Sequence, residues 1–168
     1  STPMGPAAGP HTQLSQNIVA SYLVGARFIE LKTVQIMDHL EIAKPCIDAR
    51  DEGYNVEWST EYTLEKAYDE YLKAWIALHI IESAAENKVI EKPSFIFNMS
   101  CGYNLEGIKQ EKMQIFIDSM IDSGKKPLFD EYINEAKAMV SDGLFDGSDW
   151  EGREEKVLKT IDNISKNI

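Results

Sequence analysis

Lys32 stands near the end of the string Phe28-Ile29-Glu30-Leu31-Lys32-Thr33, which reads as a strand and its end. One short helical stretch earlier stands Gly5-Pro6-Ala7-Ala8-Gly9-Pro10. Residues without side-chain bulk let a flat ligand lie directly on the backbone, and a fixed ammonium nearby can stabilise negative charge developing on that ligand. A crossover helix makes consecutive strands parallel neighbours whose C-terminal ends open on one face. Ala7, Ala8, Gly9, Lys32 and Thr33 are therefore expected around one hollow. Plainer readings stay open. The Ala-Ala-Gly run also suits a tight turn after a strand. Lys32 also suits a solvated strand end, or the Schiff-base lysine of an aldolase-type barrel.

The elements that must position these residues follow a βα rhythm. Thr12 is expected to cap a helix using Leu14, Ile18 and Tyr22, and Gly25 to end it in the left-handed conformation. Phe28 to Lys32 gives a strand that counts as the second, the first ending at the Ala7 loop and lying mostly upstream of Ser1. Residues 34–60 form a long Pro- and Gly-punctuated loop, of the length that is usually functional. Thr63 caps a helix striped by Leu64, Tyr68, Tyr71, Leu72, Trp75 and Leu78. Ser94 to Met99 is a buried third strand, followed by a helix that closes at Gly124. From Pro127 onward two amphipathic helices flank Asp142-Gly143-Leu144-Phe145-Asp146-Gly147, with no further strand.

The fold class expected is α/β: a partial TIM (β/α) barrel of three βα units over residues 1–126, with a helical insertion or extension over 127–168. The 168 residues, 43% of them hydrophobic, suit roughly one domain with a core. A net charge of -11, spread along the chain, argues against nucleic acid and anionic membrane surfaces. No apolar run approaches the roughly 18 residues of a membrane span, so a cytoplasmic location is the default expectation. Cys46 and Cys101 are too few and too far apart for a zinc or iron-sulfur site. His11, His39 and His79 have no partner at catalytic spacing, and no metal is expected in this segment.

Five strings then bring a family into view: Gly-Pro-Ala-Ala-Gly-Pro-His-Thr-Gln (5–13), Phe-Ile-Glu-Leu-Lys-Thr-Val-Gln (28–35), Lys-Pro-Cys-Ile-Asp-Ala (44–49), Tyr-Asn-Val-Glu-Trp-Ser-Thr-Glu (54–61) and Phe-Ile-Phe-Asn-Met-Ser (95–100). Residues 3–123 resemble the dihydroorotate and dihydropyrimidine dehydrogenase superfamily of flavin-binding barrels. More closely, they resemble the large subunit of the selenate reductase family. The resemblance implies an N-terminal piece of a multidomain oxidoreductase that passes electrons from a pyridine nucleotide to a small acceptor. FMN is implied in the complete barrel, with FAD and iron-sulfur clusters elsewhere in the parent protein.

Implied partners are the other domains of the parent chain, redox subunits and a small-molecule substrate. By the same resemblance Lys32 faces the flavin pyrimidine edge, Asn98 approaches the flavin, and Asn55 hydrogen-bonds a planar substrate. Asn98-Met99-Ser100-Cys101 superficially matches the string that holds a proton-transfer cysteine in dihydroorotate-type enzymes. Element order disagrees, because that string belongs after a fourth strand, and the catalytic acid or base stays unassigned. The alternative is a catalytically inactive barrel that serves as a scaffold for redox subunits.

Overall fold

The computed structural model describes residues 3–34, 62–101 and 104–166. The loop expected over 34–60, with Asn55, Trp58 and His39, lies almost wholly outside the described residues. Helix α1 (Ser15–Leu23) buries Ile18 and Tyr22 and gives way at Val24 to Gly25, whose φ of 111° is the left-handed turn expected there. Strand β1 (Phe28–Val34) follows. Helix α2 (Leu64–Glu86) starts where the Thr63 side chain accepts from the Lys66 amide at 3.3 Å. Strand β2 (Ile96–Cys101) comes next, then the short α3 (Leu105–Ile108), whose Gly107 amide donates to the Asn104 side chain at 2.8 Å. Helices α4 (Glu111–Ile121), α5 (Pro127–Ser141) and α6 (Glu154–Lys166) complete the order. The single helix expected after β2 is thus two, broken at Lys109 and Gln110.

The expected three-unit partial barrel is not what forms. The described residues are mostly helical and hold one open sheet of two parallel strands, β1 beside β2. Proline chemistry explains the missing strand. Residues 4–6 run alongside the free edge of β1, where Met4 O accepts from the Arg27 amide at 2.8 Å and Pro6 O from the Glu30 amide at 3.2 Å. Pro6, whose N–H would otherwise face β1 beside its carbonyl, has none to return, so the segment accepts from β1 without becoming a ladder strand. Gly5 is required by this approach, since a Cβ there would fall 1.6 Å from Phe28 O.

Register fixes the two faces of the sheet. Ile29 pairs with Phe97 and Leu31 with Met99; these face the helices, with Ile29 and Leu31 fully buried. Phe28 pairs with Ile96 and Glu30 with Asn98; by strand alternation these share the opposite, open face with Lys32. Beyond Leu31 the pairing slips, so that Val34 stands opposite Cys101. One extra residue in β1 makes a bulge at Lys32 and Thr33, which returns Val34 to the helix side at 1% exposure.

Helix α2 lies at the centre of the core. Tyr71, Leu78 and Ala74 are buried on it among residues of α1, β1, α4, α5 and α6, including Ile18, Met113, Phe129, Val157 and Ile161. The tail helices therefore pack into the same hydrophobic cluster as the sheet. Polar groups lock the joints: Thr160 Oγ1 accepts from the Ile90 amide at 2.9 Å, and Asp69 takes Lys73 at 2.8 Å and the Tyr132 hydroxyl of α5. The start of α1 is satisfied from a distance. Glu70 Oε2 accepts from the Ser15 amide at 2.8 Å, whereas Thr12, expected as the cap, sits in a 3-10 turn with its hydroxyl on Gly9. Burial alone would raise the Glu70 carboxyl; hydrogen bonds from Lys66 and Ser15 hold it below the ordinary carboxylate range.

Candidate functional site

The residues singled out in the sequence fall mainly on or beside the open face of the sheet. Lys32 is half-buried at its C-terminal end, Asn98 is exposed on the neighbouring strand, and Ala8 is drawn to the same face by Glu30. Glu30 Oε2 accepts from the Ala8 amide at 3.1 Å, so a β1 carboxylate pins the small-residue loop. That residue was missed in the sequence. Its signal was available, because Glu30 stands two residues before Lys32 and strand alternation puts both side chains on one face.

The Ala8 and Gly9 amides are engaged within the protein. Ala8 donates to Glu30, and the Gly9 amide donates to Thr12 Oγ1 at 3.1 Å while that hydroxyl donates back to Gly9 O at 3.0 Å. A Cβ on Gly9 would stand 2.7 Å from the His11 ring, so its smallness accommodates His11. What the loop presents outward is the low profile of Ala7, which is exposed, and Ala8, which is half-buried.

Two bonds shape the bulge that bears the lysine. Lys32 Nζ donates to Thr33 O at 3.1 Å, and the buried Tyr71 of α2 donates its hydroxyl to Lys32 O at 2.7 Å. Thr33 is thereby the second residue of the bulge and one acceptor for the ammonium. On the other face of the sheet lies a cavity of about 570 Å³, lined by Leu31, Phe97 and Met99 of the strands and by Tyr68, Trp75 and Met120 of the helices. Its walls are largely apolar, and the sheet separates it from the Lys32 side. The Tyr68 hydroxyl there is buried and has no well-formed hydrogen bond among the described residues, although Ser123 lies close enough to moderate the upward push that burial gives its phenol.

Asn55 lies outside the described residues, so its relation to Lys32 has no geometry here. Cys101 ends β2. Among the described residues no group of three or more His, Cys, Asp or Glu side chains is placed to hold a metal ion, and no helix is long and apolar enough to cross a membrane.

Comparison with known proteins gives a consistent result. The family described as "Oxidoreductase YgfK, N-terminal TIM-barrel domain" matches residues 1–168. A protein from Escherichia coli (strain K12) described as "Putative oxidoreductase YgfK" is 62% identical over 144 residues, 86% of this chain. Its counterpart from Escherichia coli O157:H7 matches with the same identity and coverage. The chain spans 14% of the length of these curated relatives. No solved structure matches it. The family description speaks of a barrel, while the described residues of this chain make two parallel strands and their helices.

Proposed function

Because the chain belongs to the family of oxidoreductase YgfK N-terminal domains, we propose that the open face of its β1–β2 sheet serves a flavin-dependent oxidoreductase as one wall of an FMN site. The observation that supports this reading is the placement of Lys32 and Asn98 on that face, with the Ala7–Ala8 loop tied to it through Glu30. A flat, electron-poor ring needs a low-profile floor, one cation and a group that both donates and accepts hydrogen bonds. Those requirements match Ala7 and Ala8, the Lys32 ammonium and the Asn98 amide. The Glu30 carboxylate would repel an anionic ring, but its Oε2 is engaged by the Ala8 amide, which moderates that repulsion.

FMN, when bound, supplies a ring that accepts and passes on electrons. The work of the chain is electrostatic and steric. Lys32 stabilises negative charge at the ring's pyrimidine edge, and Asn98 orients a polar ring edge through its amide. Thr33 holds the lysine by accepting from Nζ. Ala7 and Ala8 leave room for the ring to approach the backbone, and Asn55 remains the substrate-side residue. The remaining parts of the reading are FAD and iron-sulfur clusters elsewhere in the parent protein, a pyridine nucleotide as electron donor and a small acceptor of selenate-reductase type. Other domains and redox subunits would complete the electron path.

The test is the absorption spectrum of the purified full-length protein with flavin stoichiometry, set beside Lys32→Ala. The reading expects a bound FMN that is held more weakly in the variant. A full-length protein without FMN, or a variant that holds FMN as tightly as the parent, would refute it.

A further inference from the structure

The bulge at Lys32 and Thr33 raises a question of control that the flavin reading leaves unanswered. A lysine at a regular strand end can sweep a wide arc, whereas charge stabilisation needs a cation in one place. A bulge also breaks the ladder and leaves backbone groups that must find partners elsewhere. The Lys32 carbonyl finds its partner across the sheet. Tyr71, 1% exposed on α2, donates its hydroxyl to Lys32 O at 2.7 Å, at a separation of 39 residues.

The geometry points to Tyr71 as a positioning residue that sets the aim of Lys32. The Lys32 carbonyl and the Thr33 amide belong to one peptide plane, and fixing that plane fixes where the bulge turns. The next peptide is held from the other side, because Lys32 Nζ donates to Thr33 O at 3.1 Å. The ring of Tyr71 is packed in the central core, so its hydroxyl approaches the bulge from a rigid support. Helix α2, on the far face of the sheet, thus determines the placement of a cation on the open face. The role of that cation toward flavin rests on the reading proposed above, while the clamp itself rests only on the bulge.

Tyr68, one turn earlier on the same helix, provides the control. Its hydroxyl is also buried and, among the described residues, makes no hydrogen bond to the bulge, so Tyr68→Phe removes an equivalent atom without touching it. The experiment uses the full-length protein, with hydrogen exchange read by mass spectrometry over residues 31–34 and the flavin midpoint potential read by redox titration. Tyr71→Phe is expected to speed exchange at Thr33 and Val34 by about tenfold, the effect of losing one buried hydrogen bond. It is also expected to move the potential in the same direction as Lys32→Ala, by a smaller amount. Tyr68→Phe should change neither.

A potential that responds to Lys32→Ala but not to Tyr71→Phe overturns the positioning role and leaves the flavin reading standing. If Lys32→Ala itself leaves the potential unchanged, the flavin reading fails, and exchange at Thr33 and Val34 alone decides the clamp: faster supports it, unchanged overturns it. Should Tyr71→Phe lose protection along the whole of α2, a fluorinated tyrosine at position 71 decides instead. As a stronger donor of nearly the same shape it should slow exchange at the bulge, and unaltered exchange would overturn the clamp.

Discussion

Replacing Gly5 by alanine tests how the small-residue loop is held. The new methyl would lie 1.6 Å from Phe28 O and 2.6 Å from Phe28 C, both backbone atoms that cannot swing aside. The 3–9 segment must therefore lift from β1. Lifting removes the acceptors of the Arg27, Phe28 and Glu30 amides, now at 2.8, 3.3 and 3.2 Å. With net contributions of about 1 kcal/mol for each good bond and less for the longest, the loss is about 2–3 kcal/mol. Exchange of these amides, measured by mass spectrometry on the full-length protein, should then accelerate about 30- to 150-fold. The Ala8–Glu30 contact should loosen with it. Gly9→Ala is the comparison, because the atoms nearest its methyl belong to the His11 side chain rather than to the backbone of β1. Equal exchange in the two variants would refute the view that β1 itself demands a glycine at position 5.

Glu70→Ala should uncap α1 from a distance, speeding exchange over Ser15–Ile18 by an amount corresponding to about 1–2 kcal/mol; unchanged exchange there would remove Glu70 from that role. Acid should weaken the helical core through three groups acting in one direction. Burial would raise Asp69 and Glu70, but their hydrogen bonds hold both below their ordinary 3.8 and 4.5, and burial holds His79 below 6.5. In each case the unfolded chain takes up the proton first as pH falls. Their stabilisation is therefore complete above about pH 7, with the His79 part lost first and the carboxylate parts below about pH 5. Rising protection of α2 with acidification would contradict this.

Short-range chemistry was the legible part of the sequence. Thr63 as a cap, Gly25 as a left-handed stop and the stripe on α2 are all set within one or two helical turns, and each forms as its spacing predicts. The two helices flanking Asp142–Gly147 are equally local. Long-range satisfaction was not legible. Thr12 reads as a helix cap until Glu70 is seen to take the amide of Ser15, which lies 55 residues before it. Gly5 carries no signal in the sequence of its close approach to Phe28, nor does Gly9 of its packing beside His11.

The barrel expectation failed in part because Pro6 looks like strand-end punctuation. In the fold it leaves the 4–6 segment without an N–H that a ladder strand would return to β1. At the site, Lys32 and Asn98 were legible as residues of two neighbouring strands, and their common face follows from the register of β1 on β2. The bulge that aims Lys32 depends on how β1 meets β2 and on Tyr71, neither of which a linear pattern contains.

The midpoint potential of the flavin in the full-length protein, measured for the parent and for Lys32→Ala, addresses the function most directly. A cation beside the ring stabilises its reduced, more negative form, so its removal should drive the potential lower, by about 30 mV for each 1.4 kcal/mol lost in a two-electron couple. A potential that stays in place, or rises, would contradict a role for this face in holding the flavin.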